Sequence, residues 1–425
     1  MLIPAPHGRR RPNILFLAQV LPFPLDSGPK VRAYHVLRWL AARGHLHLAC
    51  FVRDDDPPDV VERLRRECAA VHVVPMRRSP GSDAGHLLRA MLGGKSFVIA
   101  RDEVAGMRRL LEQLVGETEF DAVHADQLWM AQYARPLDVP FKVLDQHNAV
   151  YRVFQRLARN DRSRVRRWLL RSEARRLACY EAAQMEAFDE VLFVSGEDRE
   201  AVLAVCPTDR SADCRERSTV MPICLDVDAI PMVDVLPDAR RVTVLGTMYW
   251  PPNVEGVRWL ADHVWPLVLD AVPHAVLTVI GKRPPPEVRS LAERFGPSVE
   301  VTGYVADPVP YLRETAVFAV PLLSGGGMRV KILDAWAWGL PVVSTVVGQE
   351  GMRSAPGHLL LAQDAAEFVR HTVRLLTDER ERVALRRRGR AVVEAHYNVA
   401  TEYQRLHAVY EPVWRAAGVA TDPGS

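Results

Sequence analysis

The chain has 425 residues, 48% of them hydrophobic and 25% charged, which is more than one ordinary core holds and points to two domains. A net charge of +3 is too small to argue for nucleic acid, and no run approaches the roughly 18 apolar residues of a membrane span. Six cysteines, none in a Cys-x-x-Cys pair or at zinc spacing with histidine, exclude a disulfide scaffold and fit reduced thiols in a cytoplasmic protein. The start "MLIPAPHGRRRPNILFLAQVLPFPL" sets arginines before an apolar run. That run, Ile14 to Val20, is short and lacks a cleavage site, so no signal peptide is expected.

In chain order, "NILFLAQ" (13–19) reads as a buried strand that ends in the loop "LPFPLDSGPK". "VRAYHVLRWLAARGH" follows with Val31, Tyr34, Val36, Leu37 and Leu40 at helical spacing, and Gly44 is expected to close it. "LHLACFV", "AVHVVPM", "FDAVHAD", "FKVLDQHN" and "EVLFVSGEDRE" continue as strands with helices between them. From Cys206 to Asp238, Pro, Asp and Ser accumulate and periodicity is lost, which predicts a linker. A second series begins at "RVTVLG", with a helix from about Val254 to Val268, then "AVLTVIG", "VEVTGYV", "TAVFAVPLL" and "LPVVSTVVG". The tail from Ala365 to Ala417 reads as helix. Strands alternating with helices predict an α/β protein of two Rossmann-like halves, each with a parallel sheet covered on both faces.

Ligands of such sheets bind beyond the carboxyl ends of strands. There, after "VFAVPLL", the sequence places Ser324-Gly325-Gly326-Gly327, then a helix expected from about Met328 to Trp338 and ended by Gly339. Glycines let a ligand approach backbone N–H groups at a helix N-terminus, whose partial positive charge favours anions. Arg329 and Lys331 in that first turn oppose the helix dipole unless an anion neutralises them. A diphosphate seat and a flexible helix start with two solvated bases both fit. The nucleoside-triphosphate loop does not, because it requires Gly-Lys-Ser/Thr. Only five lysines stand against fifty arginines, and Lys30, Lys282 and Lys331 all follow strands, where a compact charge suits phosphate oxygens.

"LDQHN" sets Asp145, His147 and Asn148 at a strand end, where His147 either serves a substrate hydroxyl or caps the next helix. His124 has a similar place but can lie within its strand. In "LGTMYWPPN", Gly246 and Thr247 are candidates to face a ligand, and Pro251-Pro252-Asn253 reads as a helix start. From Arg152 to Arg176, ten arginines and two acids, Asp161 and Glu173, interleave with apolar residues. This reads as a basic amphipathic segment for an anionic membrane or phosphorylated acceptor, or as a solvated helix face.

These motifs together resemble the group 1 glycosyltransferases (the family-4 class). The likeness is strongest over "VLGTMYWPPNVEGVRWLADHVWPLV", "VIGKRPPP", "VEVTGYVADPVPYL" and "VPLLSGGGMRVKILDAWAWGLPVVSTVVGQEGM", with "DSGPKVRAYHVLRWLAARGH" and "DQHNAVYRVFQRL" in the first half. The resemblance implies the GT-B fold, with two Rossmann-like domains facing each other across a cleft. It implies an acceptor domain over 1–210, a linker over 211–238, a donor domain over 239–397, and a closing helix over 398–425 that crosses back. It also implies a hexosyltransferase that retains anomeric configuration and needs neither metal nor cofactor; with the thiols and the basic segment, this reads as a protein either cytoplasmic or peripheral to the inner membrane face. The donor is a nucleotide sugar, the acceptor a glycan, lipid-linked sugar or natural product, and nucleic acid is no partner.

By the same resemblance, Gly325, Gly326, Gly327, Arg329 and Lys331 hold the diphosphate, and Asp334 binds the ribose. Gly246, Thr247, Gly281 and Gly303 line the donor site. Gly28, Lys30 and Asn148 belong to the N-domain side, and His147 assists the reacting sugar. Two departures stand out. Gly326 occupies the place of a family carboxylate, and "GTMYWPPN" lacks the Arg and Lys usual after the first C-domain strand, so Arg329 and Lys331 are expected to replace them. A non-catalytic nucleotide-binding or partner protein, and a nucleotide-sugar epimerase or hydrolase, remain the alternatives.

Overall fold

The computed structural model describes residues 10–54, 56–76, 95–161, 163–352 and 357–419. Residues 1–9 of the arginine-bearing N-terminal stretch, Arg162 of the basic segment and 420–425 of the closing segment lie outside the described residues. The chain divides into two units, Met1–Ile223 with Ala400–Ser425, and Cys224–Val399.

The first unit carries seven strands: β1 (Asn13–Ala18), β2 (His45–Val52), β3 (Ala70–Pro75), β4 (Ala122–Asp126), β5 (Phe141–Gln146), β6 (Glu190–Phe193) and β7 (Ser218–Val220). Their order is β3-β2-β1-β4-β5-β6-β7, and every neighbouring pair is parallel. Ile14 to Ala18 of β1 have no exposed surface, because a strand in a sheet covered on both faces buries every side chain, not alternate ones. The helix after β1 runs Gly28–Ala41 and ends before Gly44. Gly44 is needed for closeness instead, since a Cβ there would sit 2.7 Å from the Pro12 carbonyl.

The stretch expected as a linker over 211–238 is partly sheet. Ser211–Glu216 is helical, and β7 pairs with β6 through Val191↔Ser218. Three strand residues are too few for alternation to register against a polar surround. After the second unit the chain returns to the first, where Tyr403, Tyr410 and Trp414 are buried.

The second unit holds β8 (Arg241–Leu245), β9 (Val276–Ile280), β10 (Val299–Gly303), β11 (Thr315–Val320), β12 (Val342–Thr345) and β13 (Leu360–Ala362), again all parallel, in the order β10-β9-β8-β11-β12-β13. In both units the strand order reverses between the first and fourth strands, β1/β4 and β8/β11, so each has a switch point where loops diverge and a ligand can enter. The helix expected from about Val254 is Pro251–Trp259 followed by a π turn, Leu260–Val264, and a further turn of helix, Trp265–Ala271. The helix after the glycines runs Val330–Ala337, with Arg329 at its cap, not from Met328. Among the described residues no helix is long and apolar enough to cross a membrane.

Candidate functional site

The β8/β11 switch point gathers the residues that the sequence singled out in the second half. Gly246 and Thr247 follow β8, Gly325 to Gly327 follow β11, and Arg329, Lys331 and Asp334 lie on or beside the Val330–Ala337 helix. The glycine loop needs glycine: Gly325 has φ 124° and Gly327 φ 74°, in the left-handed region that side chains disfavour. Arg329 is buried and reaches back into this loop, its guanidinium donating to the Gly326 carbonyl at 2.5 Å and to Val347 O at 3.4 Å. It shapes the loop as well as charging it.

Lys331 is held differently. Its Nζ donates to Asn253 Oδ1 at 2.8 Å, and the Asn253 Nδ2 donates to Thr247 O at 2.9 Å, which ties the cation to the loop after β8. A Cβ at Gly246 would sit 3.0 Å from Lys331 Nζ, so glycine there leaves the ammonium its space. Its hydrogen-bond partner is thus an amide oxygen, not a carboxylate. Burial, with the Arg329 charge adding, pushes the Lys331 ammonium down to about 8. Asp334, one turn further along the helix, is pushed up to about 7 by burial, with Lys331 opposing the shift. Both groups are half-buried, and each is disfavoured in its charged form until something of opposite sign arrives.

Gly281 and Gly303 adjoin this loop, joined by Gly281 N–H to Gly303 O at 2.8 Å, while Gly246 N–H donates to Ile280 O at 3.0 Å. A side chain at Gly281 would collide with the Gly246 carbonyl, so that glycine is there for packing between two loops. Gly303 has φ 73°, and next to it Tyr304 is exposed with Lys282 Nζ 4.7 Å from its ring centre. Gly281→Ala has backbone, not a flexible side chain, to displace. Its expected cost is about 1–3 kcal/mol, with a lower melting temperature and weakened ligand binding at the displaced Gly246 loop. Denaturation and ligand titration of the variant check both parts.

In the first unit, Gly28 and Lys30 are in the opening turn of the Gly28–Ala41 helix, and Lys30 pairs with Asp26 at 3.1 Å. Sequence placed Lys30 in a loop; it is helical. His147 and Asn148 follow β5, as expected of strand-end residues, and His147 is buried. His147 Nε2 is 3.0 Å from Asp126 Oδ1 and 3.9 Å from Asp145 Oδ1. Burial works against the imidazolium, but Asp126 and then Asp145 outweigh it and raise the His147 pKa. Asp145 receives Arg32 in a two-pronged contact of 2.8 and 3.1 Å, and His124 Nε2 lies 3.6 Å away. Burial opposes the Asp145 charge, yet Arg32 and the histidines hold its pKa well below the usual carboxylate range.

His124 is inside β4, stacked on Phe16, with Nδ1 2.8 Å from Tyr410 Oη. Asp126, Asp145 and His147 bring three potential ligand atoms within 4.8 Å of one another, but Arg32 already takes both Asp145 oxygens. The set behaves as a network of charged groups around His147. Below it Glu181 fixes the loop, accepting from Gln146 Nε2 at 2.5 Å, Val150 N at 2.7 Å and Tyr151 N at 3.0 Å. Arg32, Asp126 and Glu181 were not singled out from sequence, and Asn253 was read only as part of a helix start. For Asp126 the signal existed, since it ends a strand as Asp145 nearly does.

Two Rossmann-like parallel sheets of the same doubly wound order in one chain are the GT-B architecture. Residues 239–378 match the family described as "Glycosyl transferases group 1". An uncharacterized 44.6 kDa protein in the cps region of Klebsiella pneumoniae is 21% identical over 380 residues, 85% of this chain and 90% of that one. A GDP-mannose-dependent monoacylated alpha-(1-6)-phosphatidylinositol monomannoside mannosyltransferase of Corynebacterium glutamicum is 30% identical over 152 residues, 33% of this chain and 40% of that one. Among solved structures, Anabaena HepE in complex with UDP and glucose shares the fold with a TM-score of 0.63 at 13% identity, over 94% of this chain and 100% of that one.

Proposed function

We propose that the protein transfers a sugar from a nucleoside-diphosphate sugar to a glycan, glycolipid or natural-product acceptor with retention of anomeric configuration. The carrying observation is the pair Arg329 and Lys331 at the β8/β11 switch point, beside three glycines and with an amide, not a carboxylate, on the lysine. The GDP-mannose dependence of the Corynebacterium relative and the UDP and glucose bound to HepE support a nucleotide-sugar donor, and the cps-region relative supports an envelope-glycan acceptor.

In this reading the Gly325–Gly327 backbone N–H groups and Lys331 stabilise the departing diphosphate, the largest task in such a site. Asp334 takes the ribose, and His147 hydrogen-bonds the transferred sugar. The acceptor oxygen bonds to the anomeric carbon on the face that the phosphate leaves. Its proton passes to the leaving phosphate oxygen, so the bond made, the bond broken and the proton balance. Lys331 supplies the charge that a divalent cation supplies elsewhere, and an unchanged rate in EDTA is expected.

The test is melting temperature against UDP, GDP, ADP and dTDP and their sugar conjugates. Ligand at a hundred times its dissociation constant adds about 2.7 kcal/mol, or about 2–4 °C for each kcal/mol in a unit of this size. One nucleotide is expected to stand out; no shift with any of them overturns the reading. Affinity for the nucleotide sugar, whose phosphates stay ionised throughout, is expected to peak between pH 7 and 8. Above about 8 Lys331 loses its charge, and below about 7 Asp334 gains a proton. An affinity flat from pH 6 to 10 by calorimetry contradicts the assignment of both residues. Gly326, standing where the family has a carboxylate, favours a second reading as a nucleotide binder without transfer. A nucleotide shift with no product in the presence of acceptor selects that reading, and product formed without any acceptor selects an epimerase or hydrolase.

A further inference from the structure

The loop after β11, Leu322 to Met328, contains no acidic residue. A carboxylate reaches it from another element. Glu255, in the second turn of the Pro251–Trp259 helix, is exposed, and its Oε2 accepts from Ser324 Oγ at 2.8 Å. The next residue fixes the helix at this place. A Cβ at Gly256 would collide with the Pro321 carbonyl, so glycine lets the helix lie directly against the end of β11.

Glu255 thus stands at a loop that also carries cations, yet these charges do not neutralise one another. Arg329 donates to Gly326 O and Val347 O, and Lys331 donates to Asn253 Oδ1. Among the described residues no lysine or arginine forms an ion pair with Glu255. An acid beside an anion seat is unfavourable if the seat holds phosphate alone, because like charges repel across the glycine loop. It becomes favourable when the ligand carries hydrogen-bond donors next to its phosphates. The N–H groups, guanidinium and ammonium gathered here only donate, which suits phosphate oxygens. A carboxylate only accepts, which suits hydroxyl groups. Ser324 orients Oε2, and the remaining lone pairs of the two oxygens suffice for two adjacent hydroxyls, in charge-assisted and therefore short bonds. A clip that merely fastened the loop to the helix would need no charge.

We propose that Glu255 is a sugar-selecting residue, whose carboxylate accepts hydrogen bonds from hydroxyls of the hexose that a nucleoside diphosphate carries. The proposal rests on the sugar-transfer reading and deepens it, by naming the group of the second unit that meets the transferred sugar. The site is then divided by chemistry, with cations and backbone N–H groups for the phosphates and an acid for the hydroxyls.

The experiment is calorimetric titration of the full chain with UDP and UDP-glucose, GDP and GDP-mannose, ADP and ADP-glucose, and dTDP and dTDP-glucose. Glu255→Ala is expected to weaken the sugar conjugate on the order of ten- to hundredfold. The bare diphosphate is expected to bind as before or more tightly, since a like charge beside it is gone. Glu255→Gln keeps an acceptor for Ser324 but not the charge, and is expected to lose conjugate affinity on the order of tenfold. Ser324→Ala removes the clip and keeps the carboxylate, so its loss is expected to be smaller than that of Glu255→Ala. The Glu255 side chain is exposed, and unchanged melting temperatures confirm folded variants. Equal losses for diphosphate and conjugate in Glu255→Ala, or a loss as large in Ser324→Ala, identify a clip that only holds the loop and overturn the proposal. Unchanged conjugate affinity in Glu255→Ala overturns it too, while the sugar-transfer reading stands because wild type still binds donor. Wild type that binds none of the eight probes overturns both together.

Discussion

Lys331→Ala is expected to remove the nucleotide-induced rise in melting temperature and to lower turnover by about a hundredfold or more, while leaving the protein folded. A charge-assisted contact to phosphate contributes about 1.5–3 kcal/mol to binding, and a group aimed at charge that grows in the transition state contributes about 2.7–4 kcal/mol to the rate. The ammonium is positioned for this: Asn253 Oδ1 holds it, Gly246 leaves it space, and Arg329 makes its neighbourhood more positive. The stability part has a definite sign. The folded-state pKa is lowered from 10.5 to about 8, so between those values the folded chain binds fewer protons than the unfolded one, and ligand-free stability rises with pH through that window. Below it the buried charge is a burden on the fold, and alanine removes that burden. The ligand-free variant should therefore melt no lower than wild type at pH 7. A nucleotide shift preserved in the variant would overturn the diphosphate assignment, whereas a variant that melts well below wild type would show that Lys331 is structural.

Much of this site was legible because chemistry and topology coincide in the chain. Glycines and cations directly after an apolar run can be placed at the carboxyl end of a strand without knowing the fold's details, and Gly325, Gly327 and Lys331 are there. The asymmetry is in what holds them. Asn253 sat between "WPP" and a helix, where a helix start explained everything visible, and only the fold shows it reaching 78 residues along the chain to Lys331. Gly281 was expected at the donor site from the resemblance alone, and its packing against Gly246 is a tertiary fact. β7 and β13 are three residues each and carry no period, so one was hidden in an expected linker and the other before an expected helix. Arg32 was the hardest to see. It is one of fifty arginines, lies within an ordinary amphipathic helix, and meets its carboxylate 113 residues away.

Arg32 also carries the largest expected stability effect. It is wholly buried, donates twice to Asp145, donates to Met221 O at 3.0 Å and Pro222 O at 2.8 Å, and has its guanidinium 5.3 Å from the Tyr403 ring centre. It thus joins the helix after β1, the end of β5, the exit from β7 and the returning C-terminal segment within one unit. Arg32→Met keeps the aliphatic stem but removes both guanidinium donors from the buried Asp145 carboxylate and one from each of the Met221 and Pro222 carbonyls. Breaking a buried pair from one side costs about 3–5 kcal/mol, which for a unit of this size is about 10 °C or more of melting temperature. Removing both charges is different in kind: Arg32→Met with Asp145→Asn leaves neither ion of this pair in the interior and is expected to recover part of the loss. The pH dependence separates the two cases. In wild type the depressed Asp145 pKa means that its stabilising contribution is present above the unfolded carboxylate value and is lost as pH falls through the folded one. In Arg32→Met the carboxylate keeps only the histidines, so its pKa is expected to rise and the loss of stability in acid to begin at a higher pH than in wild type. Should Arg32→Met melt like wild type at neutral pH, or the double variant melt lower than the single one, the pair is not what holds these four segments together.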